Sequence, residues 1–171
     1  IISVGRLCKQ KNHEALLDAF SQVAKICSDY SLHIFGEGEL RSFLEERIKV
    51  LGLTGKAFLE GEVSDIHERV SQGELFVLSS DYEGLSNALM EAMALGLPCI
   101  STDCAGSTEL IVHGINGVIV PKGDSEALAS AMIRVLKDKV LSSALGKNAK
   151  DSSRGFSLDL SMKKWEEVIE Q

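Results

Sequence analysis

Two glutamates, Glu83 and Glu91, stand eight positions apart on either side of Gly84-Leu85-Ser86. Carboxylates so placed can do two kinds of work. They can act as an acid and a base on one reacting bond, or they can accept hydrogen bonds from the hydroxyls of a bound ligand. Near the start of the chain Arg6, Lys9 and Lys11 form a cationic cluster. A guanidinium offers a planar fork of donors and an ammonium a mobile point charge, and both suit a diphosphate. Arg6 and Lys11 are the expected phosphate ligands, and Lys9 is read as surface charge. Cations beside the carboxylates fit a leaving diphosphate better than glycosidase-like acid–base work, and nothing in the sequence resembles a sugar-hydrolase barrel.

The elements that must position these residues follow from apolar periodicity. Around the glutamates the order is strand, polar loop, helix. Ser86 is the expected cap of a helix that runs to Leu95 and closes at Gly96. The N–H groups around Leu85 to Ala88 are then open to an anion at the positive end of the helix dipole, although a plain capped helix would use the same residues. Glu91 falls among Ala88, Leu89, Met90, Ala92, Met93 and Leu95. A helix this apolar is expected to be largely buried, so its carboxylate needs a partner, either the vicinal hydroxyls of a ribose or a neighbouring Arg or Lys.

Along the whole chain, strands are expected at 1–5, 31–35, 56–59, 75–78, 98–101 and 118–120. Helices are expected between them, capped by Asn12, Ser64, Ser86, Ser107 and Asp124, followed by helical segments at 141–151 and 158–170. Strand and helix alternate with short connections. The fold class is therefore α/β, a Rossmann-like open, mostly parallel six-stranded sheet with helices on both faces. The loops that follow the strands should share one rim, where such sheets bind ligands near the point at which strand order reverses. A single domain over residues 1–171 is expected.

The composition is 44% hydrophobic and 25% charged, ordinary for a globular protein, with a net charge of −7 that argues against nucleic acid as a partner. No apolar run reaches about 18 residues, and no signal-peptide pattern opens the chain. The chain starts on an apolar strand without a methionine, which suggests a piece of a longer protein. Cys8, Cys27, Cys99 and Cys104 form no C-x-x-C pair and the histidines stand apart, so buried reduced thiols in a cytoplasmic protein are expected rather than a zinc site. Gly36-x-Gly38 is too short for a dinucleotide fingerprint, and no P-loop occurs.

Val4-Gly5-Arg6-Leu7 with Lys11-Asn12 comes first. Tyr82-Glu83-Gly84 and Glu91-Ala92-Met93-Ala94-Leu95-Gly96-Leu97-Pro98 follow, and then Gly114-x-Asn116-Gly117. Together these resemble the family 4 (group 1) glycosyltransferases, over essentially the whole chain. The resemblance implies the carboxyl-terminal, donor-binding half of a retaining GT-B enzyme. Arg6 and Lys11 would hold the diphosphate of a nucleotide-sugar and stabilise it as leaving group. Glu83 would meet the sugar hydroxyls and Glu91 the ribose. Main chain near Gly84, Leu85 and Ser86 would meet the sugar and phosphate, and the turn at Val63 would lie against the base. No cofactor and no metal are implied beyond a UDP- or GDP-linked donor. The acceptor, a glycan or a lipid-linked glycan, would be held by an amino-terminal half, and the full-length enzyme could associate peripherally with a membrane. Asp103-Cys104-Ala105-Gly106-Ser107 departs from the Gly-Gly or Pro-rich sequence frequent there. The alternative from another class is a nucleotide-sugar-binding or regulatory module without chemistry.

Overall fold

The computed structural model describes residues 1–156; the helix expected at 158–170 lies outside them. The strands are β1 (Ile2–Val4), β2 (Leu32–Phe35), β3 (Ala57–Gly61), β4 (Phe76–Leu78), β5 (Cys99–Thr102) and β6 (Val118–Val120). They form one parallel sheet in the order β3-β2-β1-β4-β5-β6. The helices are α1 (His13–Ile26), α2 (Arg41–Val50), α3 (Ile66–Ser71), α4 (Asn87–Leu95), α5 (Ala105–Leu110), α6 (Ser125–Lys137) and α7 (Lys139–Ser153).

The sheet separates two apolar layers. On one face Leu16, Phe20 and Val23 of α1, Leu44 and Ile48 of α2, and Leu128, Met132 and Val135 of α6 pack on Leu32, Ile34, Val77 and Ile100. On the other, Val70 of α3, Leu89, Ala92 and Met93 of α4, Leu110 of α5 and Ala149 of α7 pack on Ile2, Phe35, Phe76, Leu78 and Cys99. Covering both faces buries every residue of β4 and β5, which is why neither strand alternates between apolar and exposed polar positions. Strand order reverses between β1 and β4, so the loops after these two strands diverge to opposite faces and leave a crevice between them.

Asn12, Ser86 and Asp124 cap their helices as expected, through Ala15, Leu89 and Asp124's own bond to Ala127 N–H. Two caps differ. Ser64 caps nothing. Asp65 takes the cap position of α3 without accepting from a main-chain N–H of its first turn, its carboxylate instead accepting from the Arg69 side chain, Nε at 3.0 Å. Ser107 lies inside α5, which starts after Cys104. Its hydroxyl turns inward to share a 2.7 Å hydrogen bond with Ser101 Oγ.

Candidate active site

The crevice between β1 and β4 is a cleft of about 340 Å³ lined by Val4, Gly5, Arg6, Gln10, Lys11, Glu83, Leu85, Ser86, Asn87 and Ala88. Residues some seventy positions apart in sequence meet here because two loops are fastened together. Asp81 N–H donates to Gln10 O at 2.9 Å. Ser79 Oγ donates to Lys11 O at 2.8 Å, and Gln10 Nε2 to Tyr82 O at 3.0 Å. Asn12 contributes twice. Its Oδ1 caps α1, and its Nδ2 donates to Asp81 Oδ1 at 2.7 Å. It does so from a left-handed conformation, φ 45°, which Asn tolerates better than most residues.

Across this seam Lys11 Nζ and Glu83 Oε2 form an ion pair, each side chain only 14% exposed. Ser80 Oγ donates to the same carboxylate oxygen at 3.1 Å. Both contacts fall on Oε2, so Oε1 keeps its lone pairs for a ligand. Arg6 is exposed at the mouth. On the opposite wall, Ser86 is buried and its hydroxyl accepts from Leu89 N–H at 3.4 Å. First-turn N–H groups have no intrahelical acceptor, so those of Asn87 and Ala88 are left at the cleft. Two side-chain cations, one carboxylate and a helix N-terminus thus converge on a space the size of a small-ligand site.

Glycines make the convergence sterically feasible. A Cβ on Gly106 would sit 1.8 Å from Gly84 O, and Gly106 N–H donates to Glu83 O at 3.2 Å. Gly106 therefore lets the β5–α5 turn press against the loop that carries Glu83. Gly36-x-Gly38 plays the same part for Arg6. A Cβ on Gly36 would meet Gly5 O at 2.2 Å and one on Gly38 would meet Leu7 O at 2.4 Å. The strand-end glycines seat the β1–α1 loop rather than a dinucleotide. Cys104 Sγ and Thr102 Oγ1 both donate to Ser80 O, at 2.9 and 2.5 Å. The Asp103–Ser107 stretch thus braces the loop that carries Glu83 despite its unusual sequence.

A second cleft, about 270 Å³, adjoins the first through Val4 and is lined by Phe35, Gly36, Gly61, Glu62, Val63 and Ile66. Its largely apolar walls, Val63 among them, leave a space that suits a flat ring. Glu91 lines neither cleft. Its side chain is 46% exposed, against the expectation of a buried carboxylate. The buried stripe of α4 is Leu89, Ala92 and Met93, at i, i+3 and i+4. That spacing turns position 91 outward, however apolar its neighbours are. Its contact is with a histidine, His67 Nδ1 at 3.9 Å, rather than with an Arg or Lys.

His13, at the first turn of α1, is buried, and burial pushes its imidazole down to about 4, the Lys11 charge adding to the effect. The nearby main chain of Gly5 and Arg6 offsets this only in part; neither ring nitrogen makes a hydrogen bond of standard geometry. Asn116, in the Gly-x-Asn-Gly motif, is also buried and serves structure. Its Oδ1 accepts from Val112 N–H at 2.7 Å, and its Nδ2 donates to Leu110 O at 3.1 Å and Ser152 Oγ at 3.0 Å, tying the end of α5 to α7. Among the described residues no three His, Cys, Asp or Glu side chains stand close enough together to hold a metal ion. No helix of these residues is long and apolar enough to cross a membrane.

Comparison with known proteins gives the same framework. The exopolysaccharide phosphotransferase of Streptomyces coelicolor is 33% identical over 171 residues, 99% of this chain and 18% of that protein. The Campylobacter jejuni N-acetylgalactosamine-N,N'-diacetylbacillosaminyl-diphospho-undecaprenol 4-alpha-N-acetylgalactosaminyltransferase is 33% identical over 157 residues, 91% of this chain and 42% of that one. The crystal structure of the pneumococcal O-GlcNAc transferase GtfA in complex with UDP and GlcNAc superposes with a TM-score of 0.89 at 26% identity, covering 99% of this chain and 35% of that one. The chain thus spans less than half the length of each of these proteins. The family described as glycosyl transferases group 1 matches residues 1–152, the stretch that contains both clefts and every strand, and the chain belongs to that family.

Proposed function

We propose that this chain is the nucleotide-sugar-binding half of a retaining, metal-independent glycosyltransferase, whose acceptor is held by an amino-terminal half. The observation that carries the reading is the convergence of Arg6, Lys11, Glu83 and the N-terminus of α4 on one cleft at the strand-order reversal. In this reading the diphosphate lies against Asn87 and Ala88 N–H, with Arg6 and Lys11 neutralising the charge that grows on it as the sugar–phosphate bond breaks. Glu83 presents Oε1 to the donor-sugar hydroxyls while Ser80 holds its other oxygen. The base lies beside Val63, and the ribose meets Glu91, which stands outside the lining of both clefts.

The pneumococcal neighbour was crystallised with UDP, which supports a uridine-linked donor. The Campylobacter relative, named for a diphospho-undecaprenol-linked sugar, supports a lipid-linked glycan as acceptor. With Arg6, Lys11 and a helix dipole facing the phosphates, no metal is needed to balance them. Calorimetry of the chain with UDP and GDP, each with and without EDTA, tests the reading. Measurable binding of at least one nucleotide, insensitive to EDTA, is the expected result. No binding of either at millimolar concentration would remove it.

A further inference from the structure

Glu91 is the sole charged residue of α4, and His67 approaches it from α3, Nδ1 to Oε2 3.9 Å. At that separation a protonated imidazole and the carboxylate attract one another, but no hydrogen bond forms. The imidazole can therefore hold the carboxylate in place without consuming the lone pairs that two vicinal hydroxyls would use. Its position is informative. His67 follows Ile66, which lines the 270 Å³ cleft together with Val63, and α3 and α4 share one apolar cluster through Val70, Leu89 and Met93. Imidazole and carboxylate thus face one another from the two helices beside the nucleoside end of the site. The other charged groups of α3 and the turn before it are Glu62, Asp65, Glu68 and Arg69. Asp65 and Arg69 are paired with each other. Among the described residues His67 is the one basic side chain within ion-pair reach of Glu91.

We propose that His67 is a positioning residue for the ribose end of the donor: it holds the Glu91 carboxylate toward α3, where that carboxylate accepts from the 2′- and 3′-hydroxyls of a ribonucleoside diphosphate. The inference rests on the nucleotide reading above and adds to it a residue that selects ribose over deoxyribose through Glu91.

The test is calorimetry with UDP and with 2′,3′-dideoxyuridine diphosphate on the wild-type chain, His67→Ala, His67→Lys, Glu91→Ala and the His67→Ala/Glu91→Ala double variant, with thermal melts to confirm folding. His67→Ala is expected to weaken UDP roughly 3- to 5-fold, the scale of a partly exposed ion pair, and to leave the dideoxy ligand within about 1.3-fold, less than the weakest such pair contributes. His67→Lys, which keeps a cation, is expected to restore most of the loss. On the Glu91→Ala background, removing His67 is expected to add nothing, since the pair acts as one unit. Equal losses for both ligands, or losses that add to those of Glu91→Ala, would assign His67 a merely structural role and overturn the proposal. A wild-type chain that binds UDP while His67→Ala leaves the ribose preference unchanged would overturn this inference alone. A wild-type chain that binds no nucleotide would overturn the function itself.

Discussion

Lys11 and Glu83 pair at the carboxyl ends of β1 and β4, and Lys139 and Glu74 pair at 2.7 Å by the amino end of β4. Near the second pair lies a cleft of about 290 Å³ lined by Tyr30, Ser31, His33, Glu60 and Glu74 among others. There His33 bonds Ser31 Oγ at 2.8 Å and Glu60 Oε1 at 2.6 Å, a serine–imidazole–carboxylate set that resembles a hydrolytic relay. The inventories are alike and the constructions are not. Lys139 and Glu74 are 66% and 59% exposed, against 14% each for Lys11 and Glu83. The Lys139 hydrogen bond holds the Glu74 carboxyl below its usual range, yet solvent screens a pair so exposed. His33 and Glu60 meet because β2 and β3 are paired in register, His33 opposite Phe58 and Glu60 two residues further on. At the carboxyl rim the charges are brought together by loops from separate strands, by glycines that allow main chains to touch, and by a helix N-terminus aimed at the same space. Charge and cavity alone do not mark a site; convergence of main chain does.

The largest expected effect is on the rim. Arg6→Ala with Lys11→Ala should weaken UDP on the order of 100-fold, as two charge-assisted hydrogen bonds are lost, and should weaken uridine far less. Equal losses for both in calorimetry would remove the phosphate assignment.

Next comes His13, beneath the same rim. Its imidazole stays neutral in the folded chain down to about 4, whereas the unfolded chain takes up the proton near the ordinary histidine value of about 6.5. Stability should therefore fall as pH drops from about 6.5 toward 4, by a total on the order of 3 kcal/mol. Denaturant titrations should show His13→Leu with a flatter profile over that window. An identical slope in the variant would mean that other groups carry the dependence.

Gly106→Ala follows, since its methyl group would overlap Gly84 O. A destabilisation of about 1–3 kcal/mol, with weaker UDP binding, is expected from melting and calorimetry. An unaffected variant would show that the β5–α5 turn does not brace Glu83.

The smallest effect belongs to the other end. Lys139→Ala should leave UDP affinity unchanged within error. A measurable loss would erase the contrast between the two ends.

Much of this was legible in the sequence. Mostly apolar strands without in/out alternation, separated by periodic helices, indicate a parallel sheet, and a parallel sheet puts Arg6, Lys11 and Glu83 on one rim. Asn12, Ser86 and Asp124 are local caps and read as such. The remainder depends on neighbours that are distant in the chain. Gly36, Gly38 and Gly106 are required by main chain from other loops, which no local pattern records. Ser107 has a cap residue's chemistry, but its hydroxyl is claimed by Ser101. Glu91 sits among apolar residues and is still exposed, because the Leu89–Ala92–Met93 stripe decides which way α4 faces. Its histidine partner comes from a different helix, and no local spacing predicts it.

The fastening of the β1–α1 loop to the β4–α4 loop has a consequence for how this site tolerates change. Gln10, Lys11 and Asn12 on one side hold Ser79, Asp81, Tyr82 and Glu83 on the other, so the two loops behave as one mutational unit. Substitutions on opposite sides of the seam loosen the same wall, and their free energies will not add. Single-residue scans will therefore undercount what the seam contributes, and a change on one loop is best compensated by a matched change about seventy residues away.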